Sequence, residues 1–217
     1  MKILFISLGC DKNLADSEEM LGLLTGNGHE IVDSEEEADA IVINTCCFIH
    51  DAKEESVNTI LEMAEYKKTG TCKILIVTGC MAQRYKEEIT KEIPEVDAVL
   101  GTTSYGDIVK ALNEAEAGHV FQEFKDINAL PEDSGRRVIT TGGHFGYLKI
   151  AEGCDKHCTY CIIPSLRGKF RSVPEERLLK QAEYMASQGV RELILVAQET
   201  TVYGTDLYGK KNSAYPS

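Results

Sequence analysis

The 217-residue sequence predicts an α/β protein: a doubly wound parallel sheet at the amino terminus, then the opening of a partial, TIM-like β/α barrel. Three observations carry that prediction. Short apolar, β-branched runs alternate with amphipathic helical stretches over residues 1–124. A polar segment containing Pro131, Gly135, Gly142 and Gly143 then interrupts the alternation. From residue 144 a strand, a loop, a helix and a second strand follow in the order of a βαβ unit.

Ile3–Leu8, Ala40–Asn44 and Ile74–Thr78 read as buried parallel strands, with weaker strands at His29–Val32, Ala98–Leu100 and Val120–Phe124. In the helix Asp51–Lys67, the residues Val57, Ile60, Leu61 and Ala64 keep the spacing of one buried face. Asp51 suits its amino-terminal cap, with Glu54 three residues later in capping-box fashion. No G-x-G-x-x-G follows the first strand, so a dinucleotide site is not indicated.

Residues 1–124 are expected to form the first domain, 125–143 a flexible linker, and 144–217 the second unit. There, strand Tyr147–Ala151 runs into a cysteine-rich loop and then the helix Pro174–Gln188. Pro174 and the Glu175-Glu176 pair suit its first turn. Gly189 ends the helix and Glu192–Ala197 is the next strand. A full barrel takes about 200 residues or more. Only 74 residues run from His144 to Ser217, so the expectation is an amino-terminal fragment, with Lys210–Ser217 unstructured.

The hydrophobic fraction is 43%, and the sequence lacks an apolar run of membrane-spanning length and an amino-terminal signal peptide. A cytoplasmic protein with no membrane partner is expected. Eight cysteines in a reducing compartment point to ligands rather than disulfides. Net charge is −12, from 35 acidic and 23 basic residues. Such a surface repels phosphate backbones, so direct nucleic-acid binding is not expected, whereas a basic protein would be steered toward it. Lys156, His157, Arg167, Lys169 and Arg171 form a local basic cluster, either a solvated loop or charge balance for an anionic group.

Cys154, Cys158 and Cys161 form a C-x₃-C-x₂-C run directly after a strand. Thiolates this close together suit a metal. A zinc knuckle would take His157 as fourth ligand, while a 4Fe–4S cluster held by three cysteines leaves one iron open to a small molecule. The strong strands of the first domain end in Leu8-Gly9-Cys10, Asn44-Thr45-Cys46 and Thr78-Gly79-Cys80. Functional groups gather at the carboxyl ends of parallel strands, so Cys10, Cys46 and Cys80 are expected at one rim. The bland alternative is three unrelated buried thiols. Cys47 and Cys72 lack such placement and read as structural.

The run with Tyr160 before its last cysteine resembles the radical S-adenosylmethionine (SAM) enzymes. Both cysteine sets together resemble the methylthiotransferases of that superfamily, from Met1 to about Gly209. Ser7-Leu8-Gly9-Cys10-Asp11-Lys12-Asn13, Ser165 within Ile162–Gly168, and Gln198-Glu199-Thr200-Thr201-Val202-Tyr203-Gly204 resemble the branch that modifies small-subunit ribosomal protein S twelve. Glu199 departs from that pattern, where aspartate is commoner. The alternative branch modifies tRNA; a zinc module and an electron-transfer protein are the remaining alternatives.

The resemblance implies two 4Fe–4S clusters, one on Cys154, Cys158 and Cys161 and one on Cys10, Cys46 and Cys80, with SAM and a reducing electron donor. It makes the first set catalytic, the second the sulfur-donating or sulfur-carrying site, and the product a methylthio group on the β-carbon of an aspartate. Tyr160 and Gln198 are expected beside SAM.

Overall fold

A computed structural model describes residues 1–209. Lys210–Ser217, expected to be unstructured, lie outside the described residues. The chain runs β1 (Lys2–Ser7), α1 (Asp11–Gly26), β2 (Glu30–Val32), β3 (Ala40–Thr45), α2 (His50–Thr69), β4 (Ile74–Gly79), α3 (Cys80–Glu92), β5 (Ala98–Leu100), α4 (Ile108–Glu116) and β6 (Phe121–Glu123). It continues through β7 (Phe145–Lys149), β8 (Ala151–Glu152), α5 (Ile163–Arg167), β9 (Arg171–Ser172), α6 (Glu175–Ser187), β10 (Glu192–Val196) and α7 (Thr205–Tyr208).

The first six strands form one all-parallel sheet in the order β2-β1-β3-β4-β5-β6. Alternation along the strands divides the apolar side chains between two faces. Ile41, Ile43, Leu75 and Val77 point into a core with Ile60, Met63 and Ala64 of α2 and Met81, Ala82 and Ile89 of α3. Val42, Ile74 and Ile76 point the other way, against Met20 and Leu24 of α1 and Ile108, Ala111 and Leu112 of α4. Each fully buried aliphatic side chain of this kind contributes about 1.5–3 kcal/mol relative to exposure, which is why the central strands are apolar on both faces.

In the second unit β7 pairs parallel with β10, from Phe145 opposite Glu192 to Lys149 opposite Val196, and β8 pairs antiparallel with β9. Leu148, Ile150, Val173, Leu178, Met185 and Val190 make its core. The segment expected to be the single strand Tyr147–Ala151 is broken at Ile150. There the N–H donates to Val196 O (3.0 Å), and the carbonyl accepts from Val173 N (2.9 Å). The chain thereby changes partner from β10 to β9.

The structure corrects four further expectations. Asp51 does not cap α2; Ile49 occupies that position without a side-chain bond, and Asp51 lies in the first turn, where its charge opposes the helix dipole. The buried face of α2 is Ser56, Ile60, Met63 and Ala64, while Leu61 is 48% exposed. Ser56 turns inward because its hydroxyl accepts from Cys46 N (3.0 Å) and donates to Cys46 O (2.8 Å), which rotates Leu61 outward. Pro174 is the cap of α6 rather than part of its first turn.

The segment joining β6 to β7 is not a free tether. Arg137 is buried in it and pairs with Glu18 of α1 (Nε to Oε2, 2.7 Å). The same carboxylate accepts from Thr140 N (2.7 Å) and Thr140 Oγ1 (2.8 Å), and Tyr184 of α6 donates to Arg137 O (2.8 Å). A buried carboxylate finds its partners here because leaving it unpaired would cost far more than ordering the segment.

Candidate functional site

β1, β3 and β4 are neighbours, and their register puts Ser7, Asn44 and Thr78 in one row. Cys10, Cys46 and Cys80 follow just beyond that row at the carboxyl ends. The strand order reverses between β1 and β3, the position where open α/β sheets form their crevice. Gly9 (φ +97°) and Gly79 (φ +93°) make the exits from β1 and β4 in backbone conformations that a side chain would strain. Asn13 of α1 braces this rim, donating to Leu8 O (3.0 Å) and Thr45 O (2.9 Å). Its Oδ1 accepts from the thiol of Cys80 at 3.9 Å. Burial pushes the Cys80 thiol up, and the neighbouring Arg167 guanidinium opposes that shift.

The second cysteine loop leaves β8 and closes on itself. Cys154 N donates to Gly168 O (3.1 Å), Cys161 N to Cys158 O (3.0 Å), and Phe170 N to Asp155 Oδ1 (3.1 Å). His157 sits at φ +46°, a conformation uncommon for a residue with a side chain. Tyr160 does not pack in a core; it is 88% exposed. The local basic cluster separates into two environments. Lys156 stays at the surface and pairs with Glu199 (3.3 Å), whereas Arg167 is buried against Asp16.

One cavity of about 740 Å³ collects both cysteine sets. Cys10, Cys46 and Cys80 line it from the first sheet, and Cys154, Cys158 and Cys161 from the second unit. Tyr160 and Gln198 also line it. Cys47 and Cys72 lie instead in the apolar core of the first sheet, and burial pushes the Cys47 thiol up to about 11. Among the described residues, no three His, Cys, Asp or Glu side chains converge on one metal ion. A polynuclear cluster makes a different demand. Six thiols gathered around one roomy cavity, three from each unit, match the donor chemistry of iron–sulfur ligation. The residues present fit such a group.

Several wall residues were not singled out from the sequence as site residues. Phe48 and Ile49 line the cavity and are 51% and 57% exposed, so its mouth has an apolar rim. Lys12, Leu166 and Arg167 line it too. The positions of Lys12 and Asn13, two and three residues beyond Cys10, were the available signal, but nothing local says that their side chains turn inward.

Behind the wall lies a buried ionic network. Lys12 Nζ meets Glu152 Oε2 (3.0 Å) and Ala151 O (3.1 Å), and bonds Gln198 Oε1. Lys149 pairs with Asp16 and with Glu152 Oε1 (2.8 Å). Arg167 Nη1 meets Asp16 Oδ2 (2.7 Å). Burial lowers the Lys12 ammonium to about 8 despite the Glu152 carboxylate beside it. Burial also opposes charge on Glu152, but Lys12, Lys149 and Arg167 together hold its carboxyl well below the usual range.

Comparison with known proteins accords with this geometry. Residues 2–101 match the model of uncharacterized protein family UPF0004, and residues 148–211 that of the radical SAM superfamily. The chain is 66% identical over 211 residues to a Lachnoclostridium phytofermentans protein named ribosomal protein uS12 methylthiotransferase RimO. Proteins of the same name from Clostridioides difficile and Acetivibrio thermocellus are each 52% identical. Each match covers 97% of this chain and 48% of the relative, so the chain spans about half the length of these relatives. No helix among the described residues is long and apolar enough to cross a membrane.

Proposed function

We propose that this chain is part of a radical SAM methylthiotransferase and acts in adding a methylthio group to the β-carbon of an aspartate in ribosomal protein uS12. The observation that carries the proposal is the shared cavity, with a strand-end cysteine set on one wall and the C-x₃-C-x₂-C set on another. Cys154, Cys158 and Cys161 would hold one 4Fe–4S cluster, and Cys10, Cys46 and Cys80 a second. A cluster with an open iron supplies, when bound, the electron that cleaves SAM to methionine and a 5′-deoxyadenosyl radical.

The chain's own share is binding, orientation and exclusion of water. The cysteine loop presents its thiols at the cavity, and Tyr160 stands at the same wall beside the place SAM would take. Gln198, at the end of β10, offers its amide there while its carbonyl oxygen is held by Lys12. Through Lys12, Gln198 is tied to the buried network of Glu152, Lys149 and Asp16 behind the wall. A net charge of −12 steers a basic ribosomal protein toward the chain and disfavours tRNA as the substrate. The reaction needs a reducing electron donor and is placed in the cytoplasm, where ribosomes and reduced thiols coexist.

Iron content tests the ligand assignment. Anaerobic reconstitution should load about eight irons and eight sulfides per chain, as two cubane clusters require. Replacing Cys154, Cys158 and Cys161 together by alanine should remove about half of the iron. Full retention of iron in that triple variant would overturn the assignment, as would loss of iron in Cys47→Ala comparable to that in Cys46→Ala. Deleting the encoding gene should remove the methylthio group from uS12, read by mass spectrometry of the ribosomal protein. Loss of methylthio-adenosine from tRNA in its place would select the tRNA branch.

A further inference from the structure

We propose that Lys12 and Arg167 are reciprocal positioning residues, each reaching from one cysteine set to the framework of the other and so fixing the separation of the two sets. The proposal rests on the cluster reading above only for why that separation matters.

The two side chains cross in opposite directions. Lys12 sits in the first turn of α1, two residues beyond Cys10. Its ammonium bonds Ala151 O, the Glu152 carboxylate and the Gln198 amide oxygen, which belong to the strand entering the second cysteine loop and to the end of β10. Arg167 ends α5, six residues beyond Cys161. Its guanidinium meets Asp16 Oδ2 (2.7 Å) and Asn13 Oδ1 (2.5 Å). Asn13 in turn holds Leu8 O and Thr45 O, the exits toward Cys10 and Cys46. Each cysteine set is therefore tied, through one cation, to the backbone that carries the other.

Both cations are buried, with side chains 7% and 3% exposed. Buried ion pairs are poor sources of net stability compared with apolar packing, and their best-attested use is to specify register between packed elements. An apolar seam between α1 and β7 would allow sliding, because apolar contact is non-directional. The Lys12 and Arg167 bonds, by contrast, are satisfied at one relative placement. Lys149, which pairs with both Asp16 and Glu152, sits between the two straps.

The separation can be read in cluster-free protein. Cys10 and Cys158 are exposed, so nitroxides attached to them in a Cys154→Ser, Cys161→Ser background report the distance between the sets by double electron–electron resonance. The parent protein should give a single narrow distance. Lys12→Met and Arg167→Met should each lose it to a broadened, shifted distribution, and the double variant should broaden further. Leu112→Ala, which removes apolar packing in α4 and none of the Lys12 or Arg167 bonds, should lower the melting temperature while leaving the distance narrow.

An unchanged distribution in either methionine variant overturns the proposal, as does equal broadening in Leu112→Ala. If Arg167→Met fails to fold by circular dichroism, Lys12→Met decides alone, since it leaves the Arg167–Asp16 pair in place. The measurement contains no cluster, so its failure is distinguishable from failure of the iron assignment.

Discussion

Gly9 and Cys46 stand so close that a Cβ placed on Gly9 would lie 2.7 Å from the Cβ of Cys46 and 3.1 Å from its sulfur. The contact joins the exits of β1 and β3, the two strands flanking the point where the sheet order reverses. The φ of +97° at Gly9 adds a backbone demand to the steric one. Gly9→Ala should therefore destabilise the protein by about 1–3 kcal/mol and displace Cys46. Urea denaturation measures the first effect. Iron content measures the second: the variant should lose iron from the strand-end set while keeping that of the C-x₃-C-x₂-C loop.

The two adjacent aliphatic residues of α2 should behave oppositely. Ile60 is fully buried against β3 and β4, and Ile60→Ala should cost about 2–5 kcal/mol. Leu61 is 48% exposed, and Leu61→Ala should stay within about 0.5 kcal/mol. Chemical denaturation of the pair checks the orientation of the helix, and equal losses would contradict it.

Thr102, just beyond β5, donates its hydroxyl to Leu166 O in α5 (2.8 Å). Both residues are buried, so Thr102→Val keeps the shape but leaves the carbonyl without that donor. The expected cost is about 1–3 kcal/mol, measured as a shift of the urea midpoint with an unchanged slope.

Glu19 carries a pH dependence. Burial raises its carboxyl above the ordinary value of 4.5, opposed by Lys149 and reinforced by Asp16, and Tyr105 donates a bond to it (3.1 Å). The native state thus holds the Glu19 proton more tightly than the unfolded chain does. Its stabilising effect is complete below pH 4.5 and is lost as pH rises through the higher native value. Glu19→Gln keeps an acceptor for Tyr105 and has no charge to bury. The melting temperature of the variant relative to the parent should rise from acid to neutral pH, and a gain confined to acid pH would contradict the assignment.

Much of the fold was legible because strands buried on both faces must be apolar throughout. Ala40–Thr45 and Ile74–Gly79 are buried at every position, and both stand out in the sequence as β-branched runs. The inward turn of Ser56 was not legible, since a serine on a helix reads as solvent-facing unless its partner is known. That partner is the backbone of Cys46, at the end of a strand on another element.

The sequence by itself determined the chemistry of the site: thiols at three strand ends and three more in a short loop, because ligand type and spacing are local properties of a chain. Only the tertiary structure decided that the two sets share one cavity, that Arg167 points inward rather than into water, and that the segment after β6 is anchored on Glu18. These are pairings across more than a hundred residues, as between Lys12 and Glu152 or Asp16 and Arg167. Periodicity reports which side of an element faces water, but a buried charge is tolerable only beside its partner, and that partner is chosen by the packing of distant elements.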